Sequence, residues 1–233
     1  KFNITQAFDF TYCRPKYQLK TKVSERADFA GNCSFPTSCS LNGYGSRPEH
    51  NINEDTVRII MQREVNEMRR EISFDEIKNS DLPIVMEIYN HYVLNTTATF
   101  HSRALTLEEM KELVFFENPK YKTFVIKYVK KIYGYVILTE HKKREAYDGT
   151  AEVTVYLRTK CIGKGIGTKA LKHIEEYAKT NNIHVLIATI CGANEKSIDL
   201  FIRNGYEKCA HYKETGRKFG QLLDVVAYQK IIN

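Results

Sequence analysis

The residues best suited to chemistry lie between positions 152 and 171. Glu152 heads a β-branched run, and Gly163-Lys164-Gly165-Ile166-Gly167 links that run to an amphipathic segment. Glycines at alternate positions let the backbone turn tightly and approach a ligand without Cβ clashes. The free N–H groups and the dipole of a helix start then form an anion site. The loop is not the Gly-Lys-Ser/Thr cradle of nucleotide hydrolases, which has a different spacing. It is not a dinucleotide fingerprint either, because the third glycine comes one position early and no acidic residue closes a strand about 20 residues on. A glycine-rich turn without a ligand is the alternative. Glu152 likewise has two readings, a solvent-facing strand carboxylate or an acceptor of protons.

The elements that must position these residues follow from periodicity. A strand is predicted at 71–74. Ser80 is expected to cap a helix with Leu82, Val85, Ile88, Tyr89 and Tyr92 on its apolar face and Pro83 in its first turn. Thr106 and Glu109 make a capping box for a helix through 115. Strands at 121–129 and 132–139 are joined at Lys130-Lys131, and another strand covers 151–157. A helix at 165–180 turns Ile166, Ala170, Ile174, Tyr177 and Ala178 inward. A strand at 185–190, a helix at 194–203 ending at Gly205, and strands at 206–213 and 223–228 complete the order βααβββαβαββ. That order predicts an α/β (α+β) domain at 71–233, a mixed sheet with helices on its faces. Upstream, 1–52 shows no sustained period. Residues 53–70 read as an amphipathic helix or linker with Asn53 as N-cap and Val57, Ile60, Met61, Val65 and Met68 on one face. Neither stretch carries recognisable chemistry.

Composition narrows the class. With 233 residues, 42% hydrophobic and 27% charged, the chain can bury a core. No run approaches the ~20 apolar residues of a membrane span, and the first residues lack the apolar stretch of a signal peptide. The chain begins with Lys, as a piece of a longer protein would. Cys13, Cys33, Cys39, Cys161, Cys191 and Cys209 include no C-x-x-C and no paired zinc spacing, so free thiols and no metal are expected. Sequons at Asn3, Asn32 and Asn95 are of a kind that arises by chance, and a cytoplasmic location is expected. The net charge of +7 suits an anionic partner, either nucleic acid or the phosphates of a cofactor. The basic residues are scattered, with small clusters at 127–131 and 142–144, so no nucleic-acid or membrane partner is expected.

Strand, glycine loop, helix, strand and then Asn194-Glu195-Lys196-Ser197 resemble the acetyl-CoA-binding core of GNAT acetyltransferases. Three more stretches resemble the phosphinothricin acetyltransferase group, which includes methionine sulfone and sulfoximine acetyltransferases. They are Asn90 to His101, Glu152-Val153-Thr154-Val155-Tyr156, and Gly216 to Val225. The resemblance covers 71–233. It implies a GNAT fold that transfers an acetyl group from acetyl-CoA, by direct attack, to the amino group of a small amino-acid-like substrate. The implied pyrophosphate site is the backbone of Gly163, Lys164, Gly165, Ile166, Gly167 and Thr168. The pantetheine arm would run along Val155, Tyr156 and Leu157, with Asn194 and Arg203 also at the cofactor. Glu152 becomes the general base and the Val155 N–H the oxyanion donor. Lys142, Lys143 and Arg144 would hold an acidic group of the substrate, beside Phe100, Val153 and Thr154. A homodimer is implied as well.

Three positions depart from the pattern. Ile162 stands where Arg or Gln is usual, Phe201 where many members place a Tyr general acid, and Phe219 where phosphinothricin-resistance enzymes carry His. The last favours methionine sulfone or sulfoximine over phosphinothricin. A peptide or protein N-acetyltransferase of the same fold, which would need an open groove, and a non-catalytic anion-binding module are the competing readings.

Overall fold

A computed structural model of the chain describes residues 54–232. Its elements are α1 (Glu54–Glu71), β1 (Ser73–Glu76), α2 (Leu82–Asn95), α3 (Leu107–Val114), β2 (Lys122–Tyr128), β3 (Lys131–Glu140), β4 (Thr150–Leu157), α4 (Ile166–Thr180), β5 (Val185–Cys191), α5 (Glu195–Arg203), β6 (Glu207–Lys218) and β7 (Gln221–Ile231). From β1 onward the order is the one periodicity predicts. The strands form one seven-stranded sheet, β1-β2-β3-β4-β5-β7-β6. All neighbours are antiparallel except β4 and β5. A parallel pair needs a crossover, and α4 supplies it.

Helices cover both faces of the sheet. On one, Ile166, Ala170, Leu171, Ile174 and Ala178 of α4 pack on Val136, Leu138, Val153 and Leu186. On the other, Leu82, Val85, Ile88 and Val93 of α2 and Met110 and Val114 of α3 pack on Val125, Ile132, Tyr135 and Ile137. The capping box of α3 forms as expected, with Glu109 N–H donating to Thr106 Oγ1 at 3.3 Å and Thr106 N–H to Glu109 Oε2 at 2.9 Å.

Several boundaries differ from expectation for local reasons. The helix cap falls at Asp81, not Ser80, because a 3-10 turn, Asn79–Asp81, precedes α2 and the Asp81 carboxylate accepts the Lys78 N–H at 3.0 Å. Since α1 runs on to Glu71, β1 begins two residues late. The β2–β3 turn is Val129-Lys130, one residue early, with φ of 47° and 63°. A β-branched residue pays about 1–2 kcal/mol there. The last two strands extend to meet at Phe219-Gly220, whose φ values of 50° and 76° suit a two-residue hairpin turn. The apolar face expected of α1 is only partly used: Met68 is buried and Val65 half-buried, whereas Ile60 and Met61 are exposed. Asn53 and Cys13, Cys33 and Cys39 lie outside the described residues.

Candidate active site

The parallel strands do not stay together. β4 pairs with β5 only at Thr150, Ala151 and Glu152, opposite Val185, Leu186 and Ile187. β4 then continues to Leu157 and β5 to Cys191 without pairing, while their outer edges remain bonded to β3 and β7. The strands therefore part like a V just beyond Glu152. Backbone groups on the two inner edges are left for a ligand, since an exposed strand edge is a ready hydrogen-bonding template. A cavity of about 480 Å³ fills this opening. Val153 to Leu157 line one wall, Ala188 to Ile190 the other, and Asn194 and Phe201 of the α5 region stand at one side. Thr96 to Phe100, the loop after α2, line it as well.

The predicted cofactor residues thus fall into three groups. Val155, Tyr156 and Leu157 form the open edge, and Asn194 lines the cavity while its Oδ1 caps α5 by accepting the Ser197 N–H at 3.3 Å. Gly163, Lys164, Gly165, Ile166, Gly167 and Thr168 make the turn into α4, with Gly163 and Gly165 at φ of 78° and 76°. That left-handed geometry explains the glycines at these two positions. The first turn of α4 contains no acidic residue, so its N–H groups and dipole face no negative charge of their own. Arg203 stands apart, exposed and paired with Asp199 at 3.4 Å.

Alternation along β4 puts Glu152, Thr154 and Tyr156 on one face. Thr154 and Tyr156 line the cavity, and Glu152 lies one step back, at the apex of the V. Its Oε1 is 2.8 Å from His141 Nδ1, and its side chain keeps about a third of its exposure (32%). His141, which the sequence reading missed, packs its ring edgewise on Tyr147. In the tautomer protonated at Nδ1 it donates to Glu152 and fixes that carboxylate. Lys142, Lys143 and Arg144 follow directly and are exposed, with Lys142 over the Tyr147 ring. They do not line the cavity.

Beside the cavity is a set of polar side chains not singled out from the sequence. The Tyr89 hydroxyl lies 2.8 Å from Thr99 Oγ1 and 2.5 Å from His101 Nδ1. Tyr92 donates to the Leu157 carbonyl at 2.5 Å. The buried Lys218 donates to the Thr99 carbonyl at 2.7 Å, tying the loop that lines the cavity to β6. Phe100 packs on Gly216, where a Cβ would come within 2.1 Å of its ring, so that glycine makes room for the loop. Burial pushes the Tyr89, Tyr92 and Tyr156 hydroxyls above their ordinary pKa, so all three hold their protons at neutral pH. Tyr89 and Tyr92 are apolar helix positions in the sequence pattern, and the hydroxyl on an inward-facing Tyr is the signal that marks them as more.

The family model for the acetyltransferase (GNAT) domain matches residues 75–227. A phosphinothricin N-acetyltransferase of Streptomyces coelicolor is 31% identical over 154 residues, 64% of this chain and 90% of that one. An L-methionine sulfoximine/L-methionine sulfone acetyltransferase of Pseudomonas aeruginosa is also 31% identical, over 64% and 88%. Among solved structures, a phosphinothricin acetyltransferase of Sinorhizobium meliloti in complex with acetyl-CoA has a TM-score of 0.66 at 28% identity, covering 70% of this chain and 89% of that one. A ribosomal-protein-alanine N-acetyltransferase of Brucella melitensis has a TM-score of 0.64 at 31% identity, covering 68% and 99%. The chain belongs to the GNAT acetyltransferase family. It is an acetyl-CoA-dependent N-acetyltransferase, as the motifs of 71–233 imply. Among the described residues no cluster of His, Cys, Asp and Glu suits a metal, and no helix is long and apolar enough to cross a membrane.

Proposed function

We propose that the protein acetylates the α-amino group of a small amino-acid-like substrate of the phosphinothricin, methionine sulfone or methionine sulfoximine type. The observation that carries this reading is the cavity of about 480 Å³ that the open β4 edge and the Thr96–Phe100 loop share. A pocket of this size, bounded by that loop, suits a small amine better than a polypeptide. Relatives named for these substrates support the choice.

The pantetheine arm pairs with the free edge at Val155, Tyr156 and Leu157, and the pyrophosphate rests on the amides from Gly163 to Thr168. The ammonium of the substrate gives up a proton to Glu152, directly or through a water, since only the free amine is nucleophilic. The nitrogen then attacks the thioester carbonyl carbon, and the Val155 N–H donates to the oxyanion that forms. Collapse of the tetrahedral intermediate breaks the C–S bond and releases the CoA thiolate. The proton that the attacking nitrogen still carries is lost as the amide forms and passes through water to the thiolate, since Phe201 has no proton to give and the Tyr92 hydroxyl is engaged with the Leu157 carbonyl. Lys142, Lys143 and Arg144, exposed and outside the cavity lining, act on the acidic group of the substrate only as a longer-range attraction. Arg203, exposed and paired with Asp199, is at most a distant attraction for the cofactor phosphates.

A second reading, acetylation of a protein N-terminus, draws on the name of the Brucella structure. Steady-state transfer from acetyl-CoA to methionine sulfone and to an Ala-initial peptide separates the two. We expect kcat/KM for the amino acid to exceed that for the peptide by roughly 100-fold or more, the discrimination of a small pocket. Preference for the peptide overturns the proposal. Intersecting double-reciprocal plots are expected for direct attack in a ternary complex, whereas parallel lines show an acyl-enzyme. A homodimer is part of the proposal and is checked by light scattering.

A further inference from the structure

The last turn of α1 reaches the glycine loop. Arg69 donates its Nε–H to the Lys164 carbonyl, and its guanidinium lies against Gly165, where a Cβ would sit 3.0 Å from Nε and 3.3 Å from Nη2. The contact is reciprocal, because Lys169, one turn into α4, donates from Nζ to the Arg69 carbonyl. The neighbouring Met68 is 8% exposed and belongs to the core cluster under α4, which anchors the turn that carries Arg69.

Two further observations show what this arrangement lacks. Among the described residues the terminal guanidinium nitrogens of Arg69 make no hydrogen bond, and Arg69, Lys164 and Lys169 make no ion pair. Arg69 and Lys169 thus meet beside a loop that also carries Lys164, with no ion-pair partner among the described residues, at a helix N-terminus with no acid in its first turn. Like charges held together cost free energy unless an anion joins them. The position just before Gly163 is Ile162, so the loop's own sequence supplies no planar donor.

We propose that Arg69 is a phosphate ligand of acetyl-CoA, contributed by α1 from upstream of the matched acetyltransferase domain. Its Nε bond to the Lys164 carbonyl fixes the guanidinium plane, and the two free Nη groups present a fork to phosphate oxygens beside the loop amides. The inference rests on the glycine loop holding the phosphates.

The test compares two acetyl donors, acetyl-CoA and S-acetylpantetheine, which lacks the pyrophosphate and the nucleotide. Arg69→Gln is expected to raise KM for acetyl-CoA about tenfold, the size of one charge-assisted contact. Its kcat/KM with S-acetylpantetheine should stay within about twofold of the wild type, since phosphate contacts cannot contribute there. Arg69→Lys keeps the charge without the fork and should fall between the two. An equal loss with both donors assigns Arg69 to packing and overturns the proposal. An unchanged KM, or tighter acetyl-CoA binding that marks Arg69 as a plug, overturns it too. Gly165→Val separates this failure from that of the loop itself: if it abolishes acetyl-CoA binding while Arg69 variants are indifferent, only the Arg69 assignment falls. If both are indifferent, the phosphate site lies elsewhere.

Discussion

The two ends of β4 place different demands on the chain. At the Leu157 end the site is made of backbone: an unpaired strand edge, a glycine turn and the first amides of α4. Many sequences can build those groups, provided that two left-handed positions are glycine and the strands diverge. At the Glu152 side the site depends on side chains from separate elements: His141, just after β3, holds the Glu152 carboxylate, while Tyr89 of α2 and Lys218 of β6 hold Thr99 of the loop after α2. The cofactor end is therefore tolerant of side-chain change, whereas the substrate end depends on individual groups. Substitutions at each end should separate cleanly in kcat and in cofactor affinity.

The sharpest test of this contrast is Glu152→Gln. The amide keeps the shape and accepts a hydrogen bond from His141 but cannot take up a proton. As general base, Glu152 should account for roughly 10²–10⁴-fold in kcat/KM for the amine. Acetyl-CoA affinity should hardly move, because the cofactor is held further along the strand. Raising the pH should restore part of the rate by supplying free amine from solution. Near-normal activity at neutral pH would mean that another group or the substrate itself removes the proton.

At the other end Gly165→Val is the matching lesion. Val disfavours a φ of 76°, at about 1–2 kcal/mol, and its side chain enters the space beside Arg69. Losing one or two amide bonds to a charged phosphate should weaken acetyl-CoA binding roughly 100-fold. A thermal-shift titration with acetyl-CoA reads this directly. Unchanged affinity would remove the loop from the phosphate site and reverse the contrast between the ends.

These expectations also show which features a sequence reveals. The glycine loop was legible because its conformation forbids other residues, and the α3 capping box because both partners lie within four residues. The order of elements followed from hydrophobic period alone. The divergence of β4 from β5 was not legible, since it depends on pairing between residues as distant in sequence as Thr150 and Val185. His141 was hidden for the same reason: nothing in the run after β3 marks the one side chain that turns back to Glu152. Arg69 sits in a helix whose periodicity suggests an extended apolar face, yet Ile60 and Met61 are exposed and Met68, next to Arg69, is buried. A boundary drawn at 71 therefore separates Arg69 from the loop it touches.

The smallest expected effect concerns Lys218, which holds the loop that lines the cavity. Burial depresses its pKa below the ordinary lysine value of 10.5, and the side chain donates to the Thr99 carbonyl at 2.7 Å. Lys218→Met keeps the aliphatic length but removes the charge and the bond. Two effects oppose each other: a lost hydrogen bond to a charged donor costs about 1.5–3 kcal/mol, and relief of a buried ammonium returns a similar amount. The net change in stability should stay within about 1 kcal/mol at neutral pH. Because the folded pKa is depressed, wild type carries its burial cost at all pH values below that pKa. It should gain stability relative to the variant as pH rises through the folded pKa, levelling off above 10.5. Denaturant unfolding of both proteins along a pH series measures the difference. The loop that Lys218 ties is the one at the amine, so KM for the amine should rise several-fold while KM for acetyl-CoA stays constant. A rise in the acetyl-CoA KM instead would show that β6 supports the cofactor end, and the division between the two ends of β4 would fail.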